Sequence, residues 1–337
     1  MAVEKQDRRE AMTFEKQGAH LSSTRHPRLA GVVPPLVTPL TADQEIDTES
    51  LARLIAHQLS AGVTGVFVLG TSGEGTFLTD DQRRTVLAVT VAEVAGAVPV
   101  LAGAVDASTA RAAAHVAAAV AAGADGVVAT APFYAATHPA EIDRHFVHLA
   151  AAAGDLPLYA YDIPARVGTK LPAELLIDLG RRGVLAGVKD SSGQDGSLRR
   201  VVLDRQDAGL TDFTVMTGSE TSVDSALAYG VDGVVPGLGN VDPAGYVRIA
   251  AASRAGDHDA ARAEQDRLIR LFEIVAVPDR ARMGASSAAL GAFKAALYLL
   301  GVLDCPVTAF PSVPLDAAEI AGVAALLARA GLAPARQ

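Results

Sequence analysis

The chain has 337 residues, half of them apolar and a fifth charged, which excludes a disordered or fibrous polypeptide. Its net charge of -9, from 29 Lys and Arg against 38 Asp and Glu, repels polyphosphate and argues against a nucleic-acid partner. The single cysteine, Cys305, excludes an intrachain disulfide, and no run approaches the roughly 18 apolar residues of a membrane span.

Residues 1–29 are polar and mixed in charge, and are expected to form a flexible N-terminal extension. They contain no apolar stretch of signal-peptide length, so a reducing, cytoplasmic location is expected. From Gly31 onward, short β-branched runs alternate with longer Ala-rich stretches. The strand candidates are 31–39, 65–70, 98–104, 125–132, 156–164, 184–191, 213–220 and 232–240. Helix candidates between them are 48–61, 79–94, 108–122, 139–153, 172–179, 196–205, 222–228 and 243–252. The strands read as continuous apolar runs, as parallel strands covered on both faces do.

Eight βα units in a row is the count of a closed barrel, so the expected fold is α/β, a (β/α)8 TIM barrel over 30–255. An open doubly wound sheet fits less well. Its first strand usually leads into a Gly-rich phosphate turn, and here it ends Thr38-Pro39-Leu40. Residues 256–337 read as a C-terminal helical appendage with helices near 257–275, 284–302 and 315–330.

Barrel chemistry sits at the C-terminal ends of the strands. Lys189 ends the run VLAGV, where partial desolvation would lower its amine pKa and make it a nucleophile; an ion-paired lysine is the alternative. It is one of only five lysines in an Arg-rich chain, with Lys5, Lys16, Lys170 and Lys294. Tyr159 and Tyr161 point the same way by strand alternation, so one can pack while the other relays protons. Gly70-Thr71-Ser72-Gly73-Glu74 offers hydroxyls and backbone N–H groups to a carboxylate. A phosphate loop is the rival, but the chain contains no Gly-Lys dipeptide and hence no Walker A motif. Arg166 is a bidentate carboxylate binder or a surface ion-pair partner. His145 and His148 read as a helix-surface pair with no third ligand, and no metal site is expected.

Taken together, GTSGE at 70–74, PFY at 132–134, YDIPARVG at 161–168 and GVKDS at 187–191 resemble, in order and spacing, the dihydrodipicolinate synthase / N-acetylneuraminate lyase group of class I, Schiff-base aldolases. The resemblance spans about residues 30–300. It implies a pyruvate-dependent lyase or synthase without metal or organic cofactor. Within it, Lys189 matches the Schiff-base lysine and Tyr161 the proton-shuttling tyrosine. Thr71 and Ser72 match the hydroxyls that grip the pyruvate carboxylate. Tyr134 matches a tyrosine that crosses a subunit interface into the neighbour's site, completing a catalytic Thr–Tyr–Tyr proton relay with Thr71 and Tyr161, which implies a homotetramer built from dimers. Gly218 and Val235 match pocket-lining positions. Arg166 matches the arginine that holds the carboxylate of the aldehyde partner.

The departures bear on the substrate. Thr71-Ser72, Phe133-Tyr134 and Tyr161-Asp162 stand where synthases of the group usually carry Thr-Thr, Tyr-Tyr and Tyr-Asn. The implied partners are pyruvate or another 2-oxo acid and an aldehyde. Aspartate semialdehyde leads, giving a 4-hydroxy-tetrahydrodipicolinate synthase. A 2-oxo-3-deoxy sugar acid or 4-hydroxy-2-oxoglutarate aldolase or dehydratase is the alternative, with Asp162 and Glu220 as candidate hydroxyl binders. A non-catalytic barrel that binds an oxo acid is the competing class of function.

Overall fold

Each apolar run yields a strand inside its expected span: β1 Gly31–Val32, β2 Val66–Val68, β3 Val100–Gly103, β4 Gly126–Thr130, β5 Leu158–Asp162, β6 Gly187–Asp190, β7 Thr214–Thr217 and β8 Gly233–Val234. The structure is a computed structural model and describes residues 28–336. All neighbouring strands are parallel, in the order β1-β8-β7-β6-β5-β4-β3-β2. A parallel bridge between Pro35 and Phe67 joins the two ends, with the Leu36 N–H donating to the Phe67 carbonyl at 2.8 Å. The sheet therefore closes into the (β/α)8 barrel.

β1 is much shorter than its apolar run. Pro34, Pro35 and Pro39 have no N–H to give to a ladder, so the chain after Val32 pairs only through isolated bonds.

The helices that cover the barrel are α1 Thr48–Ser60, α2 Asp80–Val94, α3 Thr109–Ala122, α4 Pro139–Ala153, α5 Pro164–Val167, α6 Ala173–Arg181, α7 Asp195–Asp207, α8 Val223–Ala228 and α9 Pro243–Arg254. Their starts follow local chemistry. Asp47 accepts from the Ser50 N–H, and Thr79 and Gln82 form a reciprocal capping box at α2. Pro139 opens α4, where its missing N–H is harmless, and Gly123 closes α3 in the left-handed conformation. The single turn α5 was not anticipated from sequence; it follows from Pro164 fixing φ at a helical start and Gly168 ending the turn.

Three more helices follow: α10 His258–Phe272, α11 Ala285–Leu299 and α12 Ala317–Arg329. They match the three expected after residue 256.

At the other end, Leu29 is buried in the barrel interior and Arg28 pairs with Asp232. The folded chain thus includes two residues assigned to the extension; the rest of that expectation lies outside the described residues.

Two apolar clusters hold the fold. The larger lies between strands and helices; the smaller fills the barrel with Phe67, Leu101, Val128, Tyr159, Met216 and Val235 among others. Each fully buried Val, Leu or Phe contributes about 1.5–3 kcal/mol relative to an exposed one. Among the described residues, no helix is long and apolar enough to cross a membrane.

Candidate active site at the barrel mouth

Strand alternation divides the polar residues of β5 and β6 into two sets. Tyr159 and Tyr161 point into the barrel, and Tyr161 pairs in register with Lys189, which pairs in turn with Met216. Lys189 is only 6% exposed. Its Nζ lies 4.1 Å from the centroid of the Tyr161 ring and 5.0 Å from that of Phe67. The two rings meet edge to face, so the amine sits in an aromatic corner, where a cation is held by the ring faces. A Cβ on Gly70 would come within 2.6 Å of the Phe67 ring, so only glycine lets the loop after β2 close over it.

That loop brings Thr71 to the site. Its Oγ1 lies 3.2 Å from the Tyr161 hydroxyl. Ser72 follows in the same loop, half-buried. Leu69 and Glu74 flank the loop in the left-handed region, an uncommon conformation that persists only where the surroundings fix it. The fixing groups are visible. Thr38 Oγ1 donates to the Gly73 carbonyl at 2.6 Å, and buried Arg83 donates to the carbonyls of Gly75 and Gly103. Glu74 accepts from the Ala309 N–H at 2.6 Å and pairs with Lys294 on α11 at 2.5 Å.

The two tyrosines separate electrostatically. Burial pushes Tyr159 up to about 12, consistent with packing. Burial, the largest single influence, would raise Tyr161 as well, but the positive charge of Lys189 and hydrogen bonding with Thr71, Lys189 and Ser191 together outweigh it. The Tyr161 phenol is held below its ordinary value. Tyr161 is therefore the proton-transfer candidate of the pair.

Arg166 lies on α5, exposed, at the rim of a cavity of about 220 Å³ that Thr71, Thr76, Thr130, Phe133 and Ser286 also line. Gly218 follows β7, and a Cβ there would fall 1.9 Å from Ser191 Oγ. Val235, just after β8, belongs to the interior cluster beside Lys189. One predicted residue stands apart: Tyr134 is fully exposed, at a φ of 78°, and does not reach the Thr71–Tyr161 pair of its own chain.

Three side-chain readings change. Asp162 is on the outer set with Asp190. Lys170 donates to its carboxylate, as does the Leu171 N–H at 3.1 Å, so Asp162 is not free to bind substrate hydroxyls. Glu220 accepts from the Gly237 and Leu238 N–H groups at 2.7 and 3.0 Å and from the Tyr246 hydroxyl. Its carboxyl is likewise occupied, and burial pushes it up to about 7. His145 is buried, not on the helix surface: Nδ1 lies 2.9 Å from Thr109 Oγ1 and Nε2 3.1 Å from the Thr130 carbonyl. The i, i+3 spacing to His148 placed the two histidines near each other but could not say which faced the core.

Sequence reasoning missed Thr130, Phe67 and Ser286. The first two were accessible by alternation along β4 and β2; Ser286 was not, because it arrives from α11. The lysine economy has a structural basis. Lys170, Lys189 and Lys294, the three among the described residues, each serve the strand ends or the loops beyond them.

Residues 28–330 match the model of the dihydrodipicolinate synthetase family. The chain is 38% identical over 304 residues to an uncharacterised DapA-like lyase of Halobacterium salinarum, covering 90% of this chain and 95% of the relative. It is 31% identical over 248 residues to the 4-hydroxy-tetrahydrodipicolinate synthase of Methanothermobacter thermautotrophicus, covering 74% and 87%. Among solved structures it is similar to the E. coli K12 prophage protein YagE in complex with pyruvate, with a TM-score of 0.83, 29% identity, and coverage of 90% and 99%. The chain belongs to the dihydrodipicolinate synthetase family and is a lyase of the class I aldolase type.

Proposed function

We propose that this lyase works on pyruvate or a closely related 2-oxo acid through a Schiff base on Lys189. The observation that carries the reading is the Lys189 nitrogen lying against the Tyr161 ring, with the phenol within reach of Thr71. The amine attacks the ketone carbon, and the oxygen leaves as water on protons relayed by Tyr161. The iminium that remains acidifies the neighbouring C–H, and loss of that proton gives an enamine. The enamine carbon attacks an aldehyde, Tyr161 protonates the new alkoxide, and water releases the product from Lys189. Cleavage runs the same steps backwards. Thr71 and Ser72 orient the carboxylate.

For the aldehyde, the leading reading is aspartate semialdehyde, the 4-hydroxy-tetrahydrodipicolinate synthase reaction, with Arg166 on its carboxylate. It is supported by the names of relatives such as the Methanothermobacter enzyme. A second reading, cleavage or dehydration of a 2-oxo-3-deoxy sugar acid or 4-hydroxy-2-oxoglutarate, is supported by the cavity wall. Among the described residues, that wall offers the hydroxyls of Thr76, Thr130 and Ser286 and no carboxylate. The exposed Tyr134 supports assembly into a homotetramer of dimers, in which it would meet a neighbour's site.

The test is reduction with borohydride in the presence of pyruvate, followed by mass analysis. A pyruvate adduct located on Lys189 is expected; an unmodified Lys189 would overturn the reading. A substrate panel of pyruvate with aspartate semialdehyde, against 2-oxo-3-deoxygluconate cleavage, separates the two aldehyde classes.

A further inference from the structure

Thr130 ends β4 in register with Tyr161, so the row Thr130, Tyr161, Lys189 runs across three adjacent strands at the mouth. Its side chain shares the inward face with Val128, two residues earlier, which lies in the interior cluster. The residue is only 2% exposed, it lines the cavity with Thr71 and Arg166, and its Oγ1 has no hydrogen-bond partner among the described residues. Its backbone is pinned, because His145 contacts the Thr130 carbonyl and is itself held by Thr109. A buried hydroxyl held in place and left unpaired carries an unfavourable desolvation cost, and native structures rarely tolerate that without a use.

We propose that Thr130 is a specificity-determining residue whose hydroxyl hydrogen-bonds a hydroxyl of the aldehyde partner, one or two carbons beyond the carbon that bonds to the enamine. The order of the row sets the position. The imine carbon sits at Lys189 and the newly formed alcohol at Tyr161. The next oxygen along the substrate then falls toward Thr130, one interstrand step of about 4.8 Å further on. Charge sets the chemical class. Among the described residues, no carboxylate lines the cavity, and Arg166 stands at its rim. An ammonium beside Thr130 would face cationic Arg166 with no anion in the wall to offset it, whereas a neutral hydroxyl meets no such penalty. Besides Thr71, Thr76 and Ser286, the wall around Arg166 is largely apolar, with Val105, Phe133, Ile163, Val167 and Leu290, and a partner without that hydroxyl would leave Thr130 unpaired.

This inference rests on the Lys189 enamine reading and, within it, on the second aldehyde class above, because aspartate semialdehyde carries an ammonium and no hydroxyl for Thr130 to bond. Its test compares glyceraldehyde with propionaldehyde, which lacks both hydroxyls, as partners of pyruvate. Three proteins are used: the wild type, Thr130→Val and Thr130→Ser. The wild type should prefer glyceraldehyde in kcat/KM. Thr130→Val should lose about tenfold of that preference, the worth of one neutral hydrogen bond, and Thr130→Ser should retain most of it. Borohydride trapping of pyruvate on Lys189 should proceed equally in all three, and the Thr130→Val melting temperature should be unchanged or higher. An unchanged preference in Thr130→Val, an equal loss for both aldehydes, or no wild-type turnover of glyceraldehyde overturns the proposal. Failure of trapping in the wild type overturns the enamine reading itself.

Discussion

The Lys294 ammonium on α11 reaches the Glu74 carboxylate in the loop after β2 across 2.5 Å, and neither side chain is exposed. Lys294 also donates to the Val307 carbonyl at 2.8 Å, while Glu74 accepts from the Ala309 N–H. The C-terminal helices thus clamp the loop that carries Thr71 and Ser72. Burial lowers the Lys294 pKa and Glu74 opposes that shift, the balance expected of an enclosed ion pair.

Removing one partner leaves the other charge enclosed and uncompensated. Lys294→Met should therefore destabilise the fold by about 3–5 kcal/mol, read from urea unfolding. The double variant Lys294→Met with Glu74→Gln should recover part of that loss. Full additivity of the two single losses would show that the pair is not coupled.

Tyr161→Phe keeps the ring that packs against Lys189 and removes only the hydroxyl. We expect kcat to fall by about 10²–10⁴, with little change in unfolding midpoint. Thr71→Val, which removes the hydroxyl 3.2 Å away, should have a smaller effect in the same direction. Steady-state rates on the same substrate pair decide this.

Arg166 stands exposed at the rim of the cavity that Thr71 also lines. With an aldehyde that carries a carboxylate, Arg166→Gln should raise its KM by about tenfold or more, since a charge-assisted hydrogen bond is worth roughly 1.5–3 kcal/mol. The rate of borohydride trapping of pyruvate should be unaffected. Loss of trapping would place Arg166 at the pyruvate carboxylate instead.

Burial pushes His145 down to about 4 from an ordinary 6.5. Below pH 6.5 the unfolded chain takes up a proton that the folded chain refuses until about pH 4. Its contribution is thus intact above pH 6.5 and is lost progressively on acidification toward pH 4, by up to about 3 kcal/mol. His145→Gln should flatten the difference in unfolding free energy between pH 7 and pH 5. An unchanged pH dependence would show that the imidazole is not held neutral.

Tyr134 is a predicted site residue that the single chain leaves fully in solvent. If it completes a neighbour's site, sedimentation should find a tetramer, and Tyr134→Ala should lower activity while leaving borohydride trapping detectable. A monomer with full activity would exclude that role.

Much of the architecture was legible in the sequence because it follows local rules. Strand runs such as 125–132 are bounded by Gly and Pro, and helices such as Pro139–Ala153 are opened and closed by their caps. Alternation alone put Tyr159 and Tyr161 on one face. Lys189, Tyr161 and Thr71 were legible because each ends or directly follows a strand of a barrel whose chemistry lies there. The strand ends themselves were less so: Pro34 and Pro35 shortened β1, and Pro164 turned the end of its run into α5.

What the sequence by itself determined is the βα count, the shared face of Tyr159 and Tyr161, and the residue types at the barrel mouth. Those depend on backbone periodicity and on side chains close together in the chain. Only the tertiary structure decided which polar groups remain available. Asp162 is taken by Lys170 and Leu171, and Glu220 by Gly237, Leu238 and Tyr246. Among the described residues, Thr130 finds no hydrogen-bond partner for its hydroxyl at the cavity. Those outcomes turn on hydrogen-bond partners that long-range folding brings together, as with Glu220 and Gly237, and a linear pattern carries no record of them.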